Sequence, residues 1–415
     1  MDVNPKPIAE SSNVTFIEGS NFSGRSNFLK SLINIEKTGS SLKSYGVLIG
    51  EIPGNYISGL APTVKEEIAL HATGSNGKYF HRLSNLMKHL AFEKHFEKNP
   101  FSLSGGEQAL LTIISALLLE PVYLAIDTTI EQLNKEWRNP LLSELINDYI
   151  YDTKIAIADN RFVEYGFSTK SQRPTINSYN NKGNIETIGK IISPKALNLK
   201  PSGKNLSLRN ITFGYSRKEV ILENINFELQ AGKIYHLGGL NGVGKSTLSK
   251  ILTGVLKPSN GHIFIQDREY NAYRYPGKVI GYSFQNPDEQ LFANSIKSEI
   301  IPKEYLKANK NVGNAEMILT AFGLSNLIEM HPSQMPFVIR KRIALAATLA
   351  NERDWYILDE PTIGQDEENV NELVKLIKLL TKNGKGVLLI SHSDNFISLF
   401  DEIIQITLKD KNIVT

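Results

Sequence analysis

The sequence predicts an α/β fold in which one unit, a mostly parallel sheet core with helices, occurs twice in tandem. Three observations carry this. The pattern G-x-x-x-x-G-K-[ST] occurs as Gly239-Leu-Asn-Gly-Val-Gly244-Lys245-Ser246, and the same pattern with arginine for lysine occurs as Gly19-Ser-Asn-Phe-Ser-Gly24-Arg25-Ser26. Two apolar runs, Val122 to Asp127 and Trp355 to Asp359, each end in aspartate. The spacings agree as well: Leu103 precedes Asp127 by as many residues as Met335 precedes Asp359, and Asp127 to Asp159 is one residue shorter than Asp359 to His392. Agreement at several positions marks a duplicated unit.

In each copy a strand leads into the glycine loop, a helix follows, then a helical insert, then buried strands. Few residues precede Gly19, so the first copy lacks most of the opening sheet. The second copy has that sheet in Leu206 to Leu229, two alternating apolar stretches around Gly214. Ile234 to Leu237, Tyr356 to Leu358 and Val387 to Ile390 are short apolar runs that suit buried parallel strands. Ser246 to Leu252 is the expected helix after the second loop. Asn181 to Ile188 reads as a hairpin closing the first copy. Residues 193–204 hold two prolines and a glycine without apolar period, which makes them the expected linker. The predicted domains are therefore 1–192 and 205–415.

Composition limits the function. The 415 residues are 41% hydrophobic and 21% charged, the balance of a globular protein with real cores. Net charge is +3 and does not segregate between the halves, which argues against a nucleic-acid-binding tail and against a polybasic membrane patch. There is no cysteine, so disulfides, thiolate metal sites and cysteine nucleophiles are excluded, and a reducing compartment fits. Met1 to Glu10 lacks the apolar core of a signal peptide. The longest apolar stretch, Ala109 to Leu119, is far short of the ~20 residues that span a bilayer.

The chemistry concentrates in the second copy. A glycine loop between strand and helix turns backbone N–H groups toward a phosphate at the helix N-terminus. Lys245 reaches the outer phosphates of a nucleotide, and Ser246 ligates Mg²⁺. Asp359, at a strand end, holds the metal shell, and Glu360 next to it orients and polarises an attacking water. Gln285, within Phe284-Gln-Asn-Pro-Asp-Glu-Gln-Leu-Phe292, can touch metal or water. His392 ends the run Leu388-Leu-Ile-Ser-His and can contact the terminal phosphate. Tyr215 is the aromatic best placed to stack on a base.

The ordered set (Gly239 loop, Gln285, Leu103-Ser104-Gly105-Gly106-Glu107, Asp359-Glu360-Pro361, Asp366, His392) resembles the ATP-binding cassette (ABC) ATPase family over nearly the whole chain. The resemblance implies two tandem phosphate-loop cassettes, each a mostly parallel sheet core with a helical subdomain, the first truncated at its N-terminal antiparallel sheet. It implies ATP and Mg²⁺ as cofactors. Expected ATP contacts are Tyr215, Asn241, Gly242, Gly244, Lys245, Ser246 and Thr247; expected metal contacts are Ser246, Asp359 and Gln285; expected catalytic residues are Glu360, His392 and Gln285. In that family two cassettes pack head to tail, and the signature of one completes the phosphate site of the other.

The two copies are complementary in what they have lost. The first keeps Ser104, Gly105 and Gly106. The second has Met335-Pro336-Phe337-Val338-Ile339 at the same place, where proline removes an amide and Phe and Val replace the glycines. The first copy in turn has Arg25 for lysine, Thr128 for Glu360 and Asp159 at the expected place of His392, and no glutamine fits between Gly50 and Pro53. Gly19, Gly24, Ser26 and Asp127 survive there. The expectation is one catalytic site per chain, built from the second-copy loop and the first-copy signature.

No segment spans a membrane, so the resemblance implies separate transmembrane subunits and a location at the cytoplasmic face of the cell membrane. Phe284 to Phe292, and Ala61-Pro-Thr-Val-Lys-Glu-Glu-Ile68 in the first copy, are similar to the forms found in cobalt-type and energy-coupling-factor importers. The expected function is the ATPase motor of such an importer. The alternatives are a regulatory or ribosome-associated ABC ATPase and an exporter motor.

Overall fold

The computed structural model describes residues 14–18, 25–34, 46–72, 78–147, 153–159, 175–178, 201–216, 219–240, 242–301 and 312–414. The chain divides into two compact units, Met1–Ile185 and Glu186–Thr415.

The first unit runs β1 (Val14–Glu18), α1 (Arg25–Asn34), β2 (Gly46–Ile49), α2 (Val64–His71), α3 (Lys78–His89), α4 (Gly105–Leu118), β3 (Tyr123–Asp127), α5 (Lys135–Asn147), β4 (Lys154–Asp159) and β5 (Thr175–Ser178). The strands form one sheet in the order β2-β3-β4-β1-β5, and every pair in it is parallel. Its strands are apolar at successive positions because both faces are covered. Ala125, Ala156 and Ala158 pack with Leu29 and Leu32 of α1 on one face. Leu124, Ile126, Ile155 and Ile157 pack into the larger cluster of Leu110, Ile113, Ile114 and Leu117 of α4. Small residues thus face the helix after the glycine loop, and large ones face the helical insert.

The second unit opens with β6 (Leu206–Ser216) and β7 (Glu219–Leu229), which join β9 (Asn260–Ile265) and β10 (Arg268–Glu269) in an antiparallel sheet ordered β10-β9-β6-β7. Its core sheet holds β8 (Ile234–Gly238), β11 (Ile280–Ser283), β12 (Trp355–Asp359), β13 (Gly386–Ile390), β14 (Ile403–Lys409) and β15 (Asn412–Val414), in the order β11-β12-β13-β8-β14-β15. The first five of these pair in parallel and β15 is antiparallel. The succession second, third, fourth, first, fifth is the same in both units, so the duplication read from spacing is a duplication of topology. Among the described residues the first unit has no counterpart of the antiparallel sheet. The expected hairpin at Asn181 to Ile188 lies outside the described residues.

Helix α6 (Lys245–Leu252) follows β8, beginning one residue earlier than expected. After β11 come α7 (Ile296–Ile300), the Val312–Ala321 and Phe337–Ala350 helices, and, after β12, the Glu367–Lys382 helix. The expected linker ended at residue 204, but its last residues are built into the second unit. Ser202 Oγ donates to Asp354 Oδ1 at 2.5 Å, Lys204 pairs with Asp354 at 3.0 Å, and the Trp355 indole N–H donates to Lys204 O at 2.8 Å. These partners lie some 150 residues downstream, so sequence punctuation alone does not mark them. No helix among the described residues is long and apolar enough to cross a membrane.

In the helical part of the first unit, His95 is buried between Phe92 and Trp137, with ring centroids 5.4 and 6.2 Å away, and its Nε2 lies 3.4 Å from Glu107 Oε1. Burial lowers its pKa, outweighing the neighbouring Glu107, which raises it. An unfolded histidine takes up a proton near pH ~6.5 that the folded one resists, so this stabilisation is complete above that value and is lost as pH falls below it. Thermal melts of the full chain should therefore show an acid-induced loss of stability below about pH 6.5, and the His95→Gln variant should show less of it.

Candidate active site

In the second unit the chain leaves β8 and turns sharply into α6. Three glycines in the left-handed region make this turn, Gly239 (φ 132°), Gly242 (φ 75°) and Gly244 (φ 111°). A Cβ on Gly239 would lie 2.5 Å from Leu408 O, and one on Gly244 would lie 2.9 Å from Ile221 Cγ2. Conformation and space therefore both demand glycine here. The first N–H groups of α6 have no partner inside the helix, and with the helix dipole they make the loop an anion receptor. Lys245, the first helical residue, is buried, and its Nζ donates to Gly239 O at 2.6 Å and Leu240 O at 3.1 Å. The ammonium is thus held over the mouth of the loop. Asn241 lies outside the described residues. Tyr215 Oη lies 3.2 Å from Thr247 Oγ1, and its ring is 62% exposed beside α6, where it can accept a flat partner.

Asp359 is the last residue of β12, and Glu360 follows in the left-handed region at φ 45°. The Glu360 N–H donates to Ile390 O at 2.8 Å, which ties this turn to β13. Both carboxylates are buried. Asp359 Oδ2 accepts from Tyr282 Oη at 2.9 Å and from Ser246 Oγ at 3.3 Å. Glu360 Oε2 accepts from Ser391 Oγ at 3.2 Å, while Oε1 lies 3.9 Å from His392 Nε2 and accepts no hydrogen bond. Burial raises the pKa of both acids. Asp359 is raised further by Glu360, and is opposed by Lys341, Tyr282 and Lys245; Glu360 is opposed mainly by Lys245 and then Lys341. Gln285 is half-buried just past β11, and its carbonyl accepts from Lys341 Nζ at 2.9 Å.

The fold therefore gathers Lys245, Ser246, Asp359, Glu360 and His392, residues far apart in the chain. It adds three that sequence reasoning missed. Tyr282 and Ser391 orient the two carboxylates, and Lys341 donates to Asp359 O at 3.0 Å. None of the three belongs to a recognisable pattern. Only their neighbours in the sequence, Gln285, His392 and the degraded signature, drew attention.

The first unit keeps the backbone of this arrangement and changes its chemistry. Asp127 ends β3 and is buried; Thr128 follows at φ 54°, and its N–H donates to Ala158 O at 2.9 Å. Thr128 thus stands where Glu360 does, in the same left-handed turn. Strand register corrects one expectation. Asp127 pairs with Ala158 as Asp359 pairs with Ile390, so Asp159 corresponds to Ser391 and the residue after it corresponds to His392. Spacing alone was one residue out because it aligned charged residues, whereas the ladder aligns backbones. Matching the ends of β2 and β11 places Glu51 at the position of Gln285. Arg25 opens α1 as Lys245 opens α6, and Gly19 to Gly24 lie outside the described residues.

Ser104 caps α4: its N–H donates to Glu107 Oε2 at 2.7 Å, and Gly105 and Gly106 form the first turn. In the second unit Pro336 occupies the capping place of the Phe337–Ala350 helix, after a like three-residue turn. Phe337 and Val338, which replace the glycines, are buried. That helix start has no N–H at its capping residue, and two buried side chains stand where the other unit has glycines.

Residues 222–363 match the family model described as "ABC transporter". A putative ABC transporter ATP-binding protein of Clostridium tetani is 25% identical over 361 residues, covering 76% of this chain and 82% of that protein. The energy-coupling factor transporter ATP-binding protein EcfA of Methanocaldococcus jannaschii is 29% identical over 215 residues, 49% of this chain and 75% of that protein. A putative ABC transporter ATP-binding protein of Methanosarcina mazei is 37% identical over 191 residues, 44% of this chain; the match spans only 32% of that relative's length. Among solved structures, a model of ribosome-bound archaeal Pelota and ABCE1 is 18% identical with a TM-score of 0.66, covering 97% of this chain and 74% of that one, a likeness of fold alone. The matched residues, about a third of the chain, run from within β7 through the glycine loop to just past the paired carboxylates, so this part of the second unit is similar to the ABC transporter family.

Proposed function

We propose that this chain is the ATP-hydrolysing motor of a membrane transporter, an importer of the energy-coupling-factor type, with one catalytic ATP site. The observation that carries the reading is the inequality of the two units. The second holds Lys245, Ser246 and two buried carboxylates in one cluster, and the first replaces the second carboxylate by Thr128. The Gly239 loop fits a triphosphate, since its glycines leave no Cβ between backbone amides and an anion. Ser246 Oγ and Asp359 Oδ2, 3.3 Å apart, suit a magnesium ion that keeps most of its water. When bound, the ion neutralises charge on the phosphate oxygens. Lys245 stabilises charge that develops on the terminal phosphate. Glu360 Oε1 is aimed at its proton transfer by Ser391 on the sister oxygen, and its raised pKa suits a base that accepts a proton from water. Tyr215 packs on the base. His392 and Gln285 flank the same point.

The first unit supplies the intact signature. The family resemblance assigns Ser104, Gly105 and Gly106 to the recognition of a terminal phosphate. The importer reading is supported by the Phe284–Phe292 segment and by the likeness to EcfA. It is also supported by Leu60 and Phe292. These occupy equal places ahead of the capped helices α2 and α7, and are 81% and 90% exposed. One exposed apolar side chain is ordinary, but the same place left apolar and bare in both units suits a partner that covers it.

Three outcomes test this. Glu360→Gln should lower kcat for ATP by at least about 10²-fold while ATP still binds in an equilibrium assay. Ser104→Arg should abolish hydrolysis although Ser104 lies in the other unit; wild-type kcat in that variant refutes the shared site. Finally, the chain expressed with the products of its neighbouring genes should co-purify with a multi-span membrane subunit. Persistent fractionation with ribosomes or free in the cytosol contradicts transport.

A further inference from the structure

The Phe337–Ala350 helix begins at a signature that no longer suits a phosphate, yet it carries a charged residue in the deepest part of the second unit. Lys341 is 0% exposed. Its ammonium has three donors, and all three meet backbone carbonyls: Phe284 O at 2.7 Å, Gln285 O at 2.9 Å and Asp359 O at 3.0 Å. Two of these acceptors belong to the segment that carries Gln285, and the third is the residue that ends β12 beside Glu360. A buried ammonium is costly unless it is fully bonded and faces opposite charge. Here the ammonium is fully bonded; burial lowers its pKa to about 8, opposed by the Asp359 and Glu360 carboxylates, which raise it.

The first unit shows that this is a substitution of one tie for another. Its corresponding helix places Ala109 at the position of Lys341, with no donor. The equivalent carbonyls are nevertheless bonded: Gly50 O accepts from Thr129 Oγ1 and Glu51 O from Gln132 Nε2, each at 2.8 Å. Both donors sit in the turn after β3. In the second unit, Pro361 and Gly364 fill those two places, and neither side chain can donate. Each unit thus fixes the segment after its second core strand, one from the turn beyond the carboxylate position and the other from the signature helix.

We propose that Lys341 is a positioning residue, and that the helix which lost its phosphate-binding start is retained as a strut within the second unit, setting the Gln285 segment against the Asp359–Glu360 turn. Further ties run along the same face. Gln290 Nε2 donates to Ala344 O at 2.9 Å and to Thr348 Oγ1 at 3.0 Å, and Arg340 pairs with Asp288 at 3.3 Å. Lys341 is the member of this set that reaches the carboxylate turn as well as the loop. The role is distinct from that of Lys245, which faces the phosphate.

The kinetic arm rests on the reading of the second unit as an ATPase, and the exchange arm does not. In the full chain, Lys341→Met should keep MgATP affinity within about threefold and lower kcat by about tenfold or more, the signature of misplaced rather than missing groups. Lys341→Gln, which restores two donors, should recover part of the loss. Adding Gln285→Ala to Lys341→Met should cost little more than either alone, because both act through one segment. Amide hydrogen exchange across residues 284–291 should speed up in Lys341→Met. Unchanged exchange and kcat in a folded Lys341→Met variant overturn the proposal, as does a rise in KM alone. If Lys341→Met does not fold, Lys341→Gln carries both measurements with the same criteria. A wild-type chain that binds but does not hydrolyse ATP defeats the ATPase reading, while faster exchange in the variant still upholds the strut.

Discussion

Two adjacent carboxylates buried at the end of one strand are the constraint around which the second unit is arranged. Asp359 and Glu360 lie inside the protein, where an unpaired charge is costly. Their surroundings answer that cost group by group. Tyr282 and Ser246 donate to the first, Ser391 donates to the second, and the ammonium groups of Lys245 and Lys341 favour the charged form of both. The left-handed turn at Glu360 is a further cost, about 1–3 kcal/mol for a residue with a Cβ, and it persists because its N–H is held by β13. Helix α6, β11 and the residue after β13 meet at this pair, supplying Ser246, Tyr282 and Ser391.

The first unit shows what remains when that constraint is lifted. Its sheet has the same order, its helix begins at the same point, and Thr128 keeps the left-handed turn and the hydrogen bond to the neighbouring strand. The backbone outlasts the chemistry, since the turn serves the packing of β3 against β4 whichever side chain it carries. With a hydroxyl for the second carboxylate, the end of β3 and the residue after it carry one acid instead of two, and Ala109 stands at the place of Lys341. Its loop is tied instead by neutral donors, Thr129 and Gln132. The helix starts differ in the opposite sense: Ser104, Gly105 and Gly106 keep a capped, glycine-rich start in the unit that lacks the second carboxylate, and Pro336, Phe337 and Val338 replace it in the unit that has both. Such reciprocal loss suits two units that share one task.

Much of this was legible in the residues. The glycine loop, the aspartates closing apolar runs and their spacing carried the fold class, the duplication, the unequal chemistry and the identities of Lys245, Ser246, Asp359 and Glu360. Those are local properties: only glycine adopts the loop's angles in the space available, a strand buried on both faces is apolar throughout, and a helix start accepts an anion wherever it occurs. Other features depended on how strands register and which distant residues meet. The ladder moved Asp159 from the place of His392 to that of Ser391 and put Glu51 at the place of Gln285. Side-chain bonds to Asp354 and Trp355 draw Ser202 and Lys204 into the second unit. Lys341 is the clearest case. In the sequence it is one basic residue in a helix between two arginines; only the packing of that helix against β11 and β12 buries it and gives its three protons to three carbonyls, because a hydrogen bond between residues far apart in the chain leaves no periodic mark on either segment.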